Sequence, residues 1–204
     1  MNDSDKPLVH LVDDDEAILR SAGFMLKTSG FQVKSYASGL ELLKEARSLV
    51  TGCILLDVRM PGMDGLQVQE KLQASGIGLP VVIMTGHGDV ALAVQAMRAG
   101  AVDFIEKPFE KVVLLAALEQ GFRRLERAEA TADRARDAAT RLQALTSREQ
   151  EVLQGLAGGL PNKTVAHELG ISPRTVEIHR ANLMTKLGAR SFPEALRIAF
   201  AAKE

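Results

Sequence analysis

The sequence contains very little cysteine and no long apolar run. Cys53 is the only cysteine among 204 residues, which excludes an internal disulfide and a cysteine-rich zinc site. It stands in an apolar, strand-like run, where a buried structural thiol is expected. The longest apolar run, Val112 to Leu118, is far shorter than the roughly 18 residues that span a bilayer. Because the polar start of the chain carries no signal-peptide pattern either, we expect a cytoplasmic protein without a membrane partner.

The net charge of the chain is also close to zero, but its two halves carry net charges of opposite sign. The formal charge is −1 at pH 7. Residues 1–120 contain 11 Lys and Arg against 16 Asp and Glu, whereas residues 141–204 contain 9 against 6. An acidic half predicts a bound cation, and a basic half predicts nucleic acid. At about 150 residues per domain the length allows one large or two small domains, and the charge split favours two.

The acidic half alternates short apolar runs with amphipathic stretches. The apolar runs predict strands at 8–12, 31–36, 53–56, 81–84 and 102–105. The amphipathic stretches predict helices at 15–29, 39–49, 65–75, 89–99 and from 110 onward. This alternation predicts an α/β domain, in which a parallel sheet is covered by helices on both faces. Ligands of such sheets bind at the carboxyl ends of the strands.

Acidic side chains follow two of these predicted strands. Asp13 and Asp14 come directly after the first strand, and Asp57 comes after the third. Carboxylates that converge repel one another, so the cluster favours a hard divalent cation such as Mg²⁺. Asp57 is the best candidate for a nucleophile that attacks a phosphoryl group. Thr85 and Lys107, each at a later strand end, offer a hydroxyl and an ammonium for phosphoryl oxygens.

Two other interpretations of this acidic edge stay open at this point. The acids after the first strand could simply stabilise the positive end of a helix dipole. Alternatively, the chain could be a small Mg²⁺-dependent phosphatase with Asp57 as its nucleophile. Phosphatases of the haloacid-dehalogenase type carry an acid/base carboxylate two residues after the nucleophile, and that position is occupied by Arg59.

Four motifs of the acidic half together resemble the receiver domain of two-component response regulators, over about residues 1–120. They are Val12-Asp13-Asp14-Asp15, Asp57-Val58-Arg59-Met60-Pro61-Gly62-Met63-Asp64-Gly65, Met84-Thr85-Gly86 and Lys107-Pro108-Phe109. The resemblance implies that a sensor histidine kinase transfers a phosphoryl group to Asp57. It also implies that the protein is not an enzyme beyond slow self-dephosphorylation.

The same resemblance assigns roles to neighbouring residues. Asp13, Asp14 and Asp57 would hold Mg²⁺ together with the backbone carbonyl of Arg59. Lys107 would pair with the phosphoryl oxygens, and the peptide bond between Lys107 and Pro108 would be cis.

Two further residues would form the switch of such a receiver domain. Thr85 would move to bind the phosphoryl group while an aromatic residue of the fifth strand turns inward, and Phe104 occupies that place. Because Phe lacks a hydroxyl, packing would have to drive this motion. The alternative is that Phe104 is an ordinary core residue.

A helical stretch without Gly or Pro joins the two halves. A heptad-like seam runs along it, and such a seam could pair with a second copy of the helix. The alternative is a solvated helical spacer, because a seam of alanines buries little area. The seam consists of Leu125, Ala128, Ala132, Ala135, Ala139 and Leu142.

The basic half has an all-helical pattern. Helices are predicted at 147–157, 162–169, 173–187 and 191–202, with capping boxes at Thr146 to Glu149 and Ser191 to Glu194 and an N-cap at Ser172. The second and third of these helices, joined by a short turn, form a helix-turn-helix pattern. The later helix of such a pattern enters the major groove of DNA.

The helical periodicity of residues 173–187 separates a core face from an outward face. Val176, Leu183 and Leu187 share the core face, with His179 at its edge. Candidates for base contact are Arg174, Glu177, Ile178, Ala181, Asn182 and Thr185, and Thr175 is a further candidate for DNA contact. Candidates for phosphate contact are Lys163, Arg180 and Lys186. The alternative is a solvated surface, or helices that bind a protein rather than DNA.

The run from Leu145 to Leu187, with Glu194-Ala195, resembles the four-helix LuxR-type DNA-binding domain. The whole chain therefore resembles response regulators of the FixJ/NarL family, and within it the nitrogen-fixation regulators of rhizobial bacteria. This predicts a receiver domain with flavodoxin-like strand order at 1–122, a helical linker at 123–144 and the LuxR-type domain at 145–204.

The resemblance implies partners as well as domains. The kinase would be FixL-like, an oxygen sensor with haem, and the other partners would be double-stranded promoter DNA, RNA polymerase and a second copy of the phosphorylated chain. A regulator of the same family that serves another stimulus is the alternative. Whether activation acts by dimerisation or by release of inhibition stays open.

Overall fold

The computed structural model describes residues 6–86 and 90–202. The chain divides into two compact units, residues 1–127 and 128–204. The strands of the first unit are β1 Leu8–Val12, β2 Gln32–Tyr36, β3 Cys53–Asp57, β4 Val81–Thr85 and β5 Asp103–Glu106. The helices of the first unit are α1 Glu16–Thr28, α2 Gly39–Lys44, α3 Gly65–Ala74, α4 Val90–Arg98 and the first part of α5 Lys111–Gln143. The remaining helices are α6 Ser147–Ala157, α7 Asn162–Glu168, α8 Pro173–Leu187 and α9 Phe192–Ala201.

The first unit is a parallel sheet with the order β2-β1-β3-β4-β5. Alternate residues of β3 enter different cores, because successive side chains of a strand point to opposite faces. Ile54 and Leu56 pack with α2, α3 and α4 on one face. Cys53 and Leu55 pack with α1 and α5 on the other. The predicted α/β architecture, with helices on both faces, is confirmed.

The predicted helix at 39–49 is shorter in the structure. The Ser38 side chain caps its start, and α2 ends at Lys44. A separate 3₁₀ turn follows at Ala46–Ser48. The side chain of Glu45, between the two, accepts a hydrogen bond from Lys34 of β2, and its Oε2 lies 3.3 Å from the Tyr36 hydroxyl. This cross-connection fixes the end of the helix and could not be foreseen from periodicity.

The second unit confirms one predicted capping box and contradicts the other. Thr146 and Glu149 form a reciprocal capping box at the start of α6, and Ser172 caps α8 by accepting from the Thr175 amide at 3.1 Å. The box predicted at Ser191 is wrong, because its side chain makes no cap hydrogen bond. Glu194 instead accepts from the Arg190 backbone N–H at 2.9 Å, one residue before the predicted partner.

Helix α5 contains the predicted linker except for its last residue, 144, and contributes residues to both units. Ala138, which lies one position from the predicted seam, is buried, and Leu142 packs against the core of α6 to α9. The seam positions Ala128, Ala132 and Ala139 are exposed. Whether they pair with another chain stays a prediction. Within residues 6–86 and 90–202, no helix combines the length and the apolar character needed to span a membrane.

A buried histidine links β1 to the loop before β3. The His10 Nε2–H donates to the Val50 carbonyl oxygen at 2.9 Å, and its Nδ1 lies 3.2 Å from the Tyr36 hydroxyl. Because a carbonyl can only accept, Nε2 carries the proton of the neutral ring, and Nδ1 accepts from Tyr36. Burial lowers the pKa of His10, and this effect outweighs the hydrogen bond to Val50. Lys34 and Glu45 are the charged side chains nearest this network, and they act on His10 in opposite directions.

We predict that folded His10 stays neutral to a lower pH than a histidine of an unfolded chain. Between the lowered folded pKa and the ordinary value near 6.5, the unfolded state binds more protons, so stability falls as pH falls through this range. An NMR titration of the full chain, with the His10 ring signal assigned by its loss in His10→Asn, should give a midpoint below about 6.5. A midpoint at or above that value would contradict the prediction.

Candidate functional site

The sheet order brings the predicted acidic residues together. In the parallel register Val12 of β1 pairs with Leu56 of β3, so Asp13 and Asp57 follow side by side. One carboxylate oxygen from each of Asp13, Asp14 and Asp57 lies within 4.8 Å of the others. Asp13 and Asp57 are buried, whereas Asp14 is exposed. The strand order reverses between β1 and β3, which is where ligands bind in open α/β sheets.

Lys107 lies between two of these carboxylates. The pairing of Thr85 with Glu106 places Lys107 just beyond the end of β5, and its backbone N–H donates to the Thr85 carbonyl at 2.8 Å. Its ammonium donates to Asp13 Oδ2 at 2.6 Å and to Asp57 Oδ1 at 2.7 Å. The following peptide bond to Pro108 is cis, as the resemblance implies.

The pKa values of Asp57 and Lys107 depend on burial and on neighbouring charge. Burial raises the pKa of Asp57, and Asp13 and Asp14 add to this, while the contact with Lys107 opposes it. Burial by itself would lower the pKa of Lys107, but the hydrogen bonds to Asp13 and Asp57 outweigh it and raise that pKa. The lysine therefore stays a cation between the carboxylates.

The donor set fits a hard divalent cation. Three carboxylates against one ammonium leave an excess of two formal negative charges at this edge. Oxygen ligands that are partly open to water suit Mg²⁺. Asp13, Asp14 and Asp57 are the side chains that could hold it. Arg59 lies two residues after Asp57 in the turn beyond β3, and the role of its carbonyl stays a prediction.

A glycine lets α3 approach the backbone of Asp57. The Gly65 N–H donates to the Val58 carbonyl at 2.9 Å. A Cβ added to Gly65 would lie only 2.3 Å from the Asp57 carbonyl oxygen, closer than any ordinary contact. Sequence reasoning quoted Gly65 only within a motif and missed this packing role.

The two predicted switch residues have different surroundings. Thr85 is buried, and its hydroxyl donates to the Gly86 carbonyl at 3.2 Å. Phe104 is 46% exposed, whereas Ile105 next to it is buried. The alternative of Phe104 as a core residue is therefore wrong, and its part in a switch stays a prediction. Of the segment after Thr85, residues 87–89 lie outside the described residues.

The second unit presents α8 as a two-faced helix. Val176, Leu183 and Leu187 are buried, which confirms the predicted core face. Ile178 is 52% exposed. Gly170 of the turn between α7 and α8 has a φ of +63°, a conformation that favours glycine. The other exposed candidates are Arg174, Glu177, Ala181, Asn182 and Thr185.

Some predicted DNA-contact residues already have partners within the chain. The Thr175 hydroxyl lies 2.8 Å from that of Ser172, in the cap of α8. The Lys186 ammonium donates to Glu149 Oε2 at 2.7 Å. The Arg180 guanidinium lies over the ring of Phe192, whereas Lys163 is exposed at the start of α7. Their roles toward DNA stay predictions.

Glu149 links α6 to α8, a role that sequence reasoning missed. Its carboxylate accepts from the Thr146 backbone N–H at 2.8 Å as well as from Lys186. Burial opposes the charged form, but the hydrogen bonds from Lys186 and Thr146 outweigh it and lower the pKa of Glu149. The capping box predicted only the first contact, because the second lies 37 positions away.

Comparison with known proteins supports both units. The family described as response regulator receiver domain matches residues 9–119, and the family described as bacterial regulatory proteins, luxR family, matches residues 143–199. The transcriptional regulatory protein FixJ of Rhizobium meliloti (strain 1021) is 48% identical over 193 residues, which cover 95% of both chains. The chain belongs to the two-component response regulators of the FixJ type.

Other relatives agree with this assignment. The crystal structure of full-length FixJ from B. japonicum is 44% identical, covers 97% of this chain and 98% of that chain, and has a TM-score of 0.62. The C4-dicarboxylate transport transcriptional regulatory protein DctR of Rhodobacter capsulatus is 43% identical over 197 residues, covering 93% of this chain and 98% of its own. Membership implies a histidine kinase partner and DNA binding for this response regulator.

We predict that Gly65→Ala disturbs the acidic site of this response regulator. The added Cβ forces α3 away from Asp57, which should lower the stability of this region by about 2 kcal/mol or more. The control Gly78→Ala adds a Cβ with no neighbour within 4 Å. Amide hydrogen exchange in peptides from β3 and α3 should rise only in Gly65→Ala, and equal exchange in the two variants would count against the prediction.

We predict that Glu149→Ala loosens the contact between α6 and α8. It removes a cap and leaves the Lys186 ammonium unpaired, at a cost of about 1–3 kcal/mol. Glu151→Ala is the matched control, since Glu151 forms an exposed pair with Arg148, and should cost less than about 1 kcal/mol. Amide exchange in α6 and α8 is the measurement, and no difference between the variants would refute the prediction.

Proposed function

We propose that Asp57 accepts a phosphoryl group from a phosphohistidine of a sensor kinase. A carboxylate oxygen of Asp57 attacks phosphorus and forms an acyl phosphate, while the P–N bond breaks and the imidazole leaves with the electron pair and takes up a proton. The observation that carries this proposal is the contact of the Lys107 ammonium with both Asp13 and Asp57 at the strand-order reversal.

Mg²⁺ is the proposed cofactor, held by Asp13, Asp14, Asp57 and the backbone carbonyl of Arg59. Bound there, it supplies positive charge beside the oxygens of the transferring group. Lys107 can exchange its contact with Asp57 for one with a phosphoryl oxygen without losing its contact with Asp13. Since the acid/base position of a phosphatase is occupied by Arg59, we propose a phosphoacceptor with slow self-dephosphorylation rather than an enzyme.

Phosphorylation is proposed to change a surface that is rich in apolar side chains. The new negative group would attract the Thr85 hydroxyl, and the space this opens would favour inward packing of Phe104. The surface formed by α4, β5 and α5 would then pair with that of a second phosphorylated copy. Its exposed apolar residues are Val94, Met97, Phe104, Val112 and Val113. Release of an inhibitory contact of the receiver domain is the alternative that the same phosphorylation could produce.

The dimer is proposed to deliver two copies of α8 to one promoter. Arg174, Thr175, Glu177, Ile178 and Ala181 would face the major groove, and Lys163, Arg180 and Lys186 would meet phosphates. The excess charge of residues 141–204 is small, so one copy should bind weakly, and two copies on a dyadic site would give useful affinity. Activation would involve RNA polymerase, and these events would occur in the cytoplasm.

Nitrogen-fixation or microaerobic genes are the proposed targets, with a FixL-like kinase as donor. The support is the 48% identity with FixJ over nearly the whole chain. A regulator of the same type that serves another stimulus is the second candidate. It is favoured by the 43% identity with DctR, whose name refers to C4-dicarboxylate transport.

We predict that wild type, but not Asp57→Asn, passes from monomer to dimer when treated with acetyl phosphate and Mg²⁺. The substitution removes the nucleophile and keeps the size of the side chain. Size-exclusion chromatography with light scattering gives the mass of each species, and intact-mass spectrometry gives the phosphorylated fraction. Asp133→Asn, an exposed residue of α5, is the control and should behave as wild type.

Two outcomes would overturn parts of this proposal. If Asp57→Asn still dimerises under phosphodonor, Asp57 is not the residue that controls assembly. If wild type is phosphorylated but stays monomeric, dimerisation by the receiver domain is excluded, and the signal must act within one chain.

A further inference from the structure

The ring of Phe192 lies beneath a cation of the DNA-facing helix. The guanidinium carbon of Arg180 is 4.6 Å from the centroid of this ring. Phe192 is the first residue of α9 and packs against the core of the second unit, so its position is fixed. Arg180 belongs to α8 and is half-buried. The contact therefore joins the edge of the DNA-facing helix to the neighbouring helix.

Arg180 lies on a flank of α8, where it would face the edge of a DNA groove that this helix enters. It follows the buried Val176 by about one turn, so it lies beside the core face and not on the outward face of Ile178. Lys186, on the opposite flank of α8, is held by Glu149 of α6. Each flank of the helix thus carries a cation whose partner belongs to an adjacent helix. Phosphates line both edges of a groove that an α-helix enters.

The two cations are held by different kinds of contact. Lys186 donates to a carboxylate, which competes with a phosphate for the same ammonium protons. A contact with an aromatic face uses the positive charge of Arg180 but none of its N–H donors. Among residues 6–86 and 90–202, the Arg180 side chain makes no ion pair or hydrogen bond. Its planar set of donors is thus available to bind a phosphate in a bidentate manner.

We infer that Phe192 is a positioning residue for DNA binding, which holds the Arg180 guanidinium over its ring for a backbone phosphate. This inference rests on the proposed contact between Arg180 and DNA. The ring restricts the rotamers of a long side chain before DNA arrives, so less conformational entropy is lost on binding. Because the partner is a phosphate, the effect is independent of base sequence.

The test is a double-mutant cycle on the full chain after treatment with acetyl phosphate and Mg²⁺. Fluorescence anisotropy with a mixed-sequence DNA duplex, over a series of KCl concentrations, gives the affinity and its salt dependence. Arg180→Gln should reduce the slope of log affinity against log salt by about one. Phe192→Leu should weaken binding by about threefold to tenfold. In the Arg180→Gln background, Phe192→Leu should cause no further loss.

Matched variants separate the effect of losing the aromatic face from the effect of losing packing volume. Phe192→Tyr keeps the aromatic face and should bind as wild type. Phe200→Leu makes the same change at another phenylalanine of α9, which is 50% exposed, and should leave affinity unchanged. The thermal midpoint of each variant shows whether it is folded. If Phe192→Leu is unfolded, Phe192→Met takes its place in the cycle, because the flexible, unbranched side chain of Met can adapt to the space that the ring occupied.

The outcomes distinguish failure of this inference from failure of the DNA contact. If Phe192→Leu weakens binding equally with and without Arg180, the ring only supports the fold, and the inference is wrong. If Arg180→Gln weakens binding while Phe192→Leu does not, Arg180 needs no positioning, and only the inference fails. If Arg180→Gln binds as wild type with an unchanged salt slope, the proposed contact between Arg180 and phosphate fails together with it.

Discussion

The Lys107 ammonium between the carboxylates of Asp13 and Asp57 is the interaction on which the receiver unit depends. Two buried carboxylates on adjacent strands repel each other, and a buried charge without a partner costs several kcal/mol. One ammonium reduces this cost but leaves negative charge in excess. The same arrangement therefore stabilises the folded edge and leaves oxygen ligands and negative charge that suit a divalent cation. Gly65 maintains it by letting α3 pack directly against the Asp57 backbone.

In the DNA-binding unit, two long cationic side chains of the exposed helix α8 are held by residues of neighbouring helices. Lys186 is held by a buried carboxylate and Arg180 by an aromatic ring, each from a different neighbouring helix. Both contacts reduce the freedom of a flexible side chain, but only the aromatic contact leaves all hydrogen-bond donors available. Glu149 also caps its own helix, so the start of α6 and the position of Lys186 are linked through one carboxylate.

The acidic edge of the first unit and the two faces of α8 could be predicted from the pattern of residue types along the chain. The strand ends located Asp13, Asp57 and Lys107, because carboxyl ends of parallel strands meet at one edge whatever the details of packing. Periodicity separated the two faces of α8, because the 3.6-residue turn of a helix is likewise independent of the details of packing. Prediction failed where the sequence pattern allowed more than one arrangement. The capping box at Ser191 was replaced by a contact of Glu194 with the Arg190 backbone, and the alternative of Phe104 as a core residue was wrong because this residue is exposed.

The order of helices and strands, the acidic edge and the outward face of α8 could all be predicted, because each follows from the spacing of residue types along the chain. Which side chains become partners depends on the packing of distant elements. The contact of Lys107 with Asp13 joins residues 94 positions apart, and that of Lys186 with Glu149 joins residues 37 positions apart. Such contacts depend on how elements pack, and periodicity within one element carries no information about its distant neighbours.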